Sequence, residues 1–396
     1  MISVGIDVSK GKSTVCIMKP CGEILEPPFD INHTTDELDS LISLIKSFDE
    51  ETRVVMEDTG HYHLPVATYL SSHNIFVCCV NALRMKKFCS QSIRRAKTDK
   101  IDSIKIAAFG ITYWNELVKA YPSDVTYDEL KFLARQYYQV TGMLVKAKVN
   151  FSNLLDQVMP EISDILSNQG ENHKLTEFVS RYIHYQNILD MGEKKFTADY
   201  CKWAKKKGYR CNECKAAEIL ALAQNGIPTL PNSQSVKIAV SEAIKLIHSI
   251  EESRNTILAQ MQELCNTLPE YSVVKEMDCI GDTLAPRIIA EIGDVRRFKN
   301  KHSLIAYAGI DAPPYQSGTF NASERHISKR GNSYLRKTGY EIMQSLIKHK
   351  PADNAVYDFI QKKRSEGKCG KEAMIAGLNK FLRVYYGKVM ELYSKI

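Results

Sequence analysis

The chain has 396 residues, a formal net charge of +7 at pH 7, a hydrophobic content of 44% and 11 cysteines. This length predicts two or three domains, and the composition is that of a globular protein with a real core, which excludes a disordered or fibrous chain. We find no signal-peptide pattern and no apolar run approaching about 18 residues, so we expect neither export nor a membrane span, but a cytoplasmic protein with reduced thiols.

Residues 1–125 alternate short apolar segments with amphipathic ones. Segments rich in Val, Ile and Thr predict strands at 2–7, 13–18, 53–57 and 75–80. Apolar residues at helical spacing predict helices over 36–47 and 62–72. Thr98 is an expected N-cap for another helix, from Asp99 to Ile111. This order of elements predicts an α/β domain.

Four carboxylates stand at the ends of these elements. Asp7 ends the first strand, Glu57 ends the third, and Asp99 and Asp102 share one face of the later helix. Taken singly, each is more simply a turn or cap residue. All four in this order predict a pocket of hard oxygen ligands, which suits two Mg²⁺ (or Mn²⁺) ions and phosphoryl transfer. A sheet with carboxylates on two strands and a later helix has the layout of the ribonuclease H-like fold.

Basic residues form two local clusters, although the net charge of the whole chain is only +7. The first surrounds the aspartate pair and the second lies near residue 330; their members include Arg94, Arg95 and Lys97, and Lys329, Arg330 and Arg336. Either cluster alone is typical of a solvated surface. Beside a pocket of carboxylates, the first cluster favours the binding of nucleic-acid phosphates, and we predict nucleic-acid binding for the named members of both clusters.

Residues 126–270 are predicted to form a helical arm. Two long amphipathic helices, over 127–158 and 233–267, indicate an antiparallel coiled coil or a plainer helical hairpin. The segment 165–230 between them has no clear role. Its Cys211-x-x-Cys214 pattern is half of a zinc site, but no second pair follows, so ordinary helix cysteines are favoured there, as at Cys201.

Residues 271–396 are predicted to be mostly helical, beginning with a segment like a helix-hairpin-helix. Such hairpins offer backbone N–H groups to a phosphate, but Cys279 stands where they usually have glycine, so packing is an equally good reading. Ser317 precedes Gly318 in a polar loop. By residue type this is a turn; with metals and cations nearby, the hydroxyl becomes a candidate nucleophile.

Together these motifs resemble the insertion-sequence 110 family of transposases, the DEDD group, from end to end. The N-terminal third resembles its RuvC-like domain through Gly-Ile-Asp-Val-Ser-Lys, Met-Glu-x-Thr-Gly and Lys-Thr-Asp-x-x-Asp. The C-terminal third resembles its transposase domain through Ala-Tyr-x-Gly-Ile, Gln-Ser-Gly and Ile-Ser-Lys-Arg-Gly-Asn-x-x-Leu-Arg. The resemblance places the family's acidic positions on Asp7, Glu57, Asp99 and Asp102, and its catalytic serine on Ser317.

The resemblance implies a DNA recombinase guided by a structured noncoding RNA, the bridge RNA, which pairs with donor and target DNA. It implies homodimers that assemble into a tetramer, in the cytoplasm of a bacterium or archaeon and associated with the nucleoid. Carboxylates of one protomer and the serine of another would form a composite site, and the serine would become linked to DNA before strand exchange. The alternative is a metal-only nuclease like the Holliday-junction resolvases, in which Ser317 is a bystander.

Overall fold

The computed structural model describes residues 1–58, 60–90, 98–119, 125–168, 173–210, 212–313, 316–317, 320–321 and 326–396, except for the side chains of residues 317, 320 and 321. Contacts divide the chain into two units, Met1–Val125 and Thr126–Ile396. The first unit is mixed α/β and the second is mostly helical, as predicted. None of the described helices is long and apolar enough to cross a membrane.

A five-stranded sheet forms the centre of the first unit. Its strands are β1 (Ile2–Val8), β2 (Lys12–Met18), β3 (Ile24–Asn32), β4 (Thr52–Asp58) and β5 (Phe76–Asn81). The order is β3-β2-β1-β4-β5, with β1 antiparallel to β2 and parallel to β4. The four predicted strands are confirmed. β3 was not predicted because Pro27 and Pro28 interrupt it, and proline is tolerated here because β3 lies at an edge of the sheet.

Helices cover both faces of this sheet. They are α1 (Thr35–Lys46), α2 (His63–Ser72), α3 (Ala82–Cys89) and α4 (Asp99–Thr112). On one face, Ile6 and Met56 belong to the same core as Leu41 of α1. On the other face, Val55 packs with Ile106 of α4. The unit is therefore a three-layer sandwich; α3, too short to give a clear period, was not predicted.

Helix α4 approaches β1 more closely than a side chain would allow. A Cβ atom on Gly5 would lie 2.3 Å from the backbone nitrogen of Ala107 and 2.4 Å from the carbonyl oxygen of Ser103. Later in α4 and earlier in β1, a Cβ on Gly110 would lie 2.1 Å from Oγ of Ser3. The two contacts show that α4 runs antiparallel to β1, so the N-terminus of α4 lies at the C-terminal end of β1.

Two long helices, α5 (Val125–Val158) and α11 (Gln234–Asn266), form an antiparallel pair in the second unit. The first part of α5 shares a core with the last part of α11, which we call the base core; it includes Leu130, Tyr137 and Met261. The last part of α5 shares another core with the first part of α11, the tip core, which includes Phe151 and Ile247. The predicted pair of long helices is therefore present.

The segment between the long helices is also helical. It contains α6 (Ile162–Ile165), α7 (Lys174–Tyr182), α8 (Tyr185–Met191), α9 (Glu193–Lys206) and α10 (Glu213–Asn225). Large aromatic side chains from α7 and α9, such as Phe178 and Tyr200, fill the tip core beside the long helices. This segment is thus a small helical domain built on the end of the arm.

The remaining helices assemble around the base core. They are α12 (Glu270–Lys275), α13 (Leu284–Ile292), α14 (Lys301–Ala308), α15 (Ser333–His349), α16 (Ala355–Ser365) and α17 (Gly370–Tyr393). Two short antiparallel strands, β6 (Gln316–Ser317) and β7 (Phe320–Asn321), pair Ser317 with Phe320. In the turn between α12 and α13, Cys279 has φ of +64°, the left-handed region that favours glycine.

Candidate active site at the C-terminal end of the sheet

Asp7 and Glu57 are neighbours on two parallel strands. The register pairs Ile6 of β1 with Met56 of β4, and Asp7 and Glu57 are the next residue on each strand. Side chains alternate between faces along a strand. Because Ile6 and Met56 face α1, Asp7 and Glu57 project toward the face that carries α4, and both are half-buried.

The first turn of α4 lies at the same end of the sheet. The hydroxyl of Thr98 accepts a hydrogen bond from the backbone N–H of Ile101 at 3.2 Å, which confirms the predicted cap. Asp102 lies one turn before Ile106, which packs on Val55 of β4. Asp102 is therefore directed toward the sheet and is 23% exposed, whereas Asp99 is exposed.

The thiol of Cys89, at the end of α3, responds to the same group of charges. Burial raises its pKa most, Lys105 lowers it, and the negative charges of Asp102 and Glu57 raise it again. The negative charges of Asp102 and Glu57 therefore both act on the thiol of Cys89. The ammonium of Lys105 lies 3.6 Å from a carboxylate oxygen of Asp102 and partly balances the negative charge there.

A fifth carboxylate, Asp30, belongs to the same row and was missed from the sequence. Asp7 pairs with Thr14 and Thr14 pairs with Asp30 across β1, β2 and β3. The hydroxyl of Thr14 donates to Asp30 at 2.7 Å, and this hydrogen bond is the main reason that the pKa of Asp30 is lowered. The alternation of apolar and polar residues in Phe29-Asp30-Ile31 was the available signal, but the preceding prolines hid the strand.

In the second unit, two sequence motifs bind each other through their backbones. We call residues 307–311 and 328–336 the motif clamp. The N–H of Lys329 donates to the carbonyl oxygen of Gly309 at 3.0 Å, and the N–H of Asn332 donates to that of Tyr307 at 2.7 Å. A Cβ on Gly331 would lie 2.3 Å from the carbonyl oxygen of Tyr307. The glycine therefore serves a close backbone contact.

Polar side chains of the motif clamp are committed to its structure. The guanidinium of Arg336 donates to the carbonyl oxygens of Ala308 at 2.9 Å and Gly331 at 3.1 Å. Asn332 caps α15 and also donates to the carboxylate of Glu291 at 2.7 Å. Arg336 is thus held as an anchor of the clamp, whereas its neighbours Lys329 and Arg330 are exposed.

Two family models match this chain. One, described as a transposase model of the DEDD, IS110 type, matches residues 4–160, and the other, of the transposase IS116/IS110/IS902 family, matches residues 271–358. The chain belongs to the IS110 family of DEDD transposases. It is an enzyme that acts on DNA by strand cleavage and transfer.

Several proteins resemble this transposase along much of its length. A 43.6 kDa protein of insertion element IS110 from Streptomyces coelicolor is 21% identical over 76% of this chain and 72% of its own. A 44.8 kDa protein of insertion element IS116 from Streptomyces clavuligerus is 22% identical, covering 95% and 91%. A pilin gene-inverting protein of Moraxella bovis is 26% identical over 46% of this chain and 58% of its own.

Among solved structures, Thermus thermophilus RuvC in complex with a Holliday junction substrate is similar to this transposase, with 10% identity and a TM-score of 0.23. The similarity covers 29% of this chain and 96% of that one.

The donor set at the end of the sheet suits the divalent metal that a DEDD transposase implies. All of the candidate ligands are carboxylate oxygens, which Mg²⁺ prefers, and Mg²⁺ keeps several waters and needs only one or two carboxylates. Among the described residues, no three of these carboxylates place their oxygens within 4.8 Å of one another. The structure brings the three elements that carry Asp7, Glu57, Asp99 and Asp102 to one end of the sheet, rather than their oxygens into a finished cage.

Other predicted site residues lie partly or wholly outside the described part of the transposase. Arg94, Arg95 and Lys97 lie outside it, as does Cys211 of the Cys-x-x-Cys pattern. The backbone of Ser317 is in β6, and its side chain lies outside the described part of the structure. The roles of these residues stay predictions.

Proposed function

We propose that this transposase is an RNA-guided recombinase that cleaves and exchanges donor and target DNA at a composite site. In this proposal Asp7, Glu57, Asp99 and Asp102 hold Mg²⁺ or Mn²⁺ in a RuvC-like domain, and Ser317 is the nucleophile. One observation supports the carboxylate part most strongly: the close packing of α4 on Gly5, which sets the first turn of α4 beside the ends of β1 and β4.

The carboxylates have two tasks in this mechanism. They hold and orient the divalent ion, which, when bound, stabilises the charge that develops on a scissile phosphate. Without a bound cation, their four negative charges would also repel a DNA phosphate, so phosphate can enter the site only when the metal ion is bound. Lys105, 3.6 Å from Asp102, keeps that carboxylate directed along the side of α4 facing the sheet.

Ser317 would attack the scissile phosphorus. Its oxygen forms the new phosphoester bond, its proton is released, and a deoxyribose oxygen leaves as the original bond breaks. The phosphoester keeps the bond energy for rejoining to another strand. The carboxylates lie in the first unit and Ser317 in the second, a separation that suits a site shared between protomers of a dimer within a tetramer.

Guidance by a bridge RNA and binding of both DNAs would use the basic residues. We assign phosphate binding to exposed Lys329 and Arg330 and to Arg94, Arg95 and Lys97. Arg336 would act differently from these, because its guanidinium is bound to two carbonyl oxygens and supports the clamp that presents Lys329 and Arg330.

Asp102→Asn tests the carboxylate site. It removes a negative ligand of nearly the same shape, so we expect strand cleavage to fall at least about a thousandfold while DNA and RNA binding persist. Asp36→Asn is the matched control, since Asp36 also lies in the first turn of a helix but on the opposite face of the sheet, and it should leave activity unchanged. Full cleavage by Asp102→Asn would remove that residue from the site.

Ser317→Ala tests the nucleophile. Reactions are stopped in denaturant and examined for DNA linked to protein. We expect the adduct in the wild type and its loss in Ser317→Ala. The control is Ser328→Ala, which should still form the adduct because the hydroxyl of Ser328 donates a hydrogen bond to Asp311. An adduct that survives in Ser317→Ala would place the nucleophile elsewhere. Cleavage by the wild type with no adduct would favour the metal-only nuclease.

RNA guidance is tested separately. The transposase is purified from cells that carry its element, and the RNA bound to it is sequenced. We expect one structured RNA with segments complementary to donor and target, and we expect ribonuclease treatment before DNA is added to abolish recombination. Unchanged recombination after that treatment would leave a recombinase that works without a guide.

A further inference from the structure

Two histidines and a glutamate meet on the arm, far from the carboxylates of the first unit in sequence. His173 lies just before α7, and His248 and Glu251 lie three residues apart on one face of α11. Their ligand atoms all lie within 4.8 Å of one another, and they form the one such group of three among the residues that the structure describes. We call them the arm triad.

Glu251 carries an oxygen with no hydrogen-bond donor. The ammonium of Lys148, on α5, lies 2.7 Å from Oε1. Oε2 is buried and accepts no hydrogen bond, and the nearest imidazole nitrogen, Nδ1 of His173, is 3.7 Å away, beyond hydrogen-bond range. A buried carboxylate oxygen without a donor is costly, so a cation at this point would stabilise the arm.

The spacing of the triad fits a small metal ion. Bonds from zinc to imidazole nitrogen and carboxylate oxygen are about 2.0–2.2 Å, so two ligands of a tetrahedral ion are roughly 3.3 Å apart. The 3.7 Å between Nδ1 of His173 and Oε2 of Glu251 needs to close by a few tenths of an ångström, and the other ligand atoms, all within 4.8 Å of one another, by at most about 1.5 Å. The side chain of His173 is 35% exposed, which leaves a path for the ion and a fourth position for water.

From this geometry we infer that His173, His248 and Glu251 form a binding site for a transition-metal ion of the zinc class. Imidazole nitrogens select zinc and its neighbours over Mg²⁺, which prefers oxygen alone. The ion would join the start of α7 to α11 and so fasten the small helical domain to the arm. Lys148 would weaken binding, because its positive charge lies beside the same carboxylate.

The full-length protein, stripped with a chelator, is titrated with Co²⁺ and Zn²⁺ in excess Mg²⁺, which occupies the carboxylates of the first unit. Co²⁺ reports its ligands: nitrogen and oxygen give weak visible bands, whereas thiolates give intense near-ultraviolet bands. We expect one equivalent with nitrogen–oxygen bands, and we expect Zn²⁺ to raise the unfolding temperature.

Variants locate the ion. His248→Ala should weaken metal binding more than about a hundredfold, because it removes one of three ligands, and even the loss of a residue that only hydrogen-bonds to a ligand costs about 10–100-fold. His302→Ala, which removes an exposed histidine elsewhere, should change nothing, and Lys148→Met should tighten binding several-fold. Glu251→Gln repeats the test if His248→Ala does not fold. Equal binding by wild type, His248→Ala and Glu251→Gln, thiolate bands, or no uptake by the wild type would each overturn the proposal.

Discussion

The end of the sheet and the motif clamp use the same kinds of residue for opposite purposes. At the sheet, Gly5 lets α4 come close, and Asp7, Glu57 and Asp102 stand half-buried at the ends of β1 and β4 and at the start of α4. In the clamp, Gly331 lets two loops interlock, and the polar side chain of Arg336 is bound to backbone carbonyls. A motif of glycine and charged residues therefore indicates, above all, a close contact between two backbones. Whether its charged side chains can bind a ligand depends on the groups that they already contact in the fold.

Gly5→Ala should give the largest effect, because backbone atoms of α4 occupy the space of the new methyl group. We expect a loss of about 3 kcal/mol or more in the first unit, together with loss of cleavage. Trp114 fluorescence in a Trp203→Phe background follows urea unfolding of this unit, since these are the chain's two tryptophans. Gly142→Ala, with open space around it, should instead stabilise its helix by about 1 kcal/mol. A neutral Gly5→Ala would contradict the tight packing of α4.

Arg336→Met separates anchoring from phosphate binding. It leaves the carbonyl oxygens of Ala308 and Gly331 without their donor, so we expect the second unit to lose about 2 kcal/mol. The salt dependence of DNA affinity, measured at a temperature where the variant is folded, should stay the same. A flatter slope with unchanged stability would mean that Arg336 contacts DNA and that the clamp does not need it.

Much of the fold was predictable because its periodicities are local. The four predicted strands, the cap at Thr98 and the two arm helices follow from residue patterns within one element. β3 was missed because two prolines mask its alternation. α3 was missed because only eight residues form it, although Asn81 capping Leu83 was a usable signal.

The site was predictable only as a set of candidates. That the first turn of α4, which carries Asp102, lies at the C-terminal end of β1 depends on the contact of Gly5 with α4, which involves residues remote in sequence. The arm triad was not predictable for the same reason, since His173 and His248 meet only through the packing of α7 on α11. The hydrogen bonds of Arg336 to two backbone carbonyls were not predictable, because a sequence shows charge but not the carbonyls that surround it.

Glu291 offers a test through pH. Burial raises the pKa of this carboxyl, against the hydrogen bond from Asn332 and the charge of Arg135, which lower it. Between the ordinary glutamate pKa of about 4.3 and the raised folded value, the native state holds more protons than the unfolded state, so stability should fall as pH rises through this window. Glu291→Gln should flatten that part of the profile in urea titrations. An unchanged profile would assign the pH dependence to other groups.

Lys329→Gly should give the smallest effects, a gain in stability and a loss in DNA affinity. Lys329 has φ of +53°, where glycine is unstrained, so we expect a gain of about 0.5–1 kcal/mol. Lys350→Gly, at φ of +48° outside the clamp, should give a similar gain. Only the Lys329 change should lower the slope of log affinity for DNA against log salt, by about 0.9 for one lost phosphate contact. Equal slopes for the two variants would leave Lys329 as solvated surface.

The length of the arm sets a scale for anything that binds along it. A helix of 34 residues such as α5 extends about 51 Å, the length of roughly fifteen base pairs of duplex at about 3.4 Å each. From its start in the base core to its end in the tip core, α5 therefore spans nearly one and a half turns of DNA. Because both long helices pack along both cores, removing two matched turns from α5 and α11 would shorten this ruler by about 11 Å, or three base pairs, while keeping each core on the same helix face.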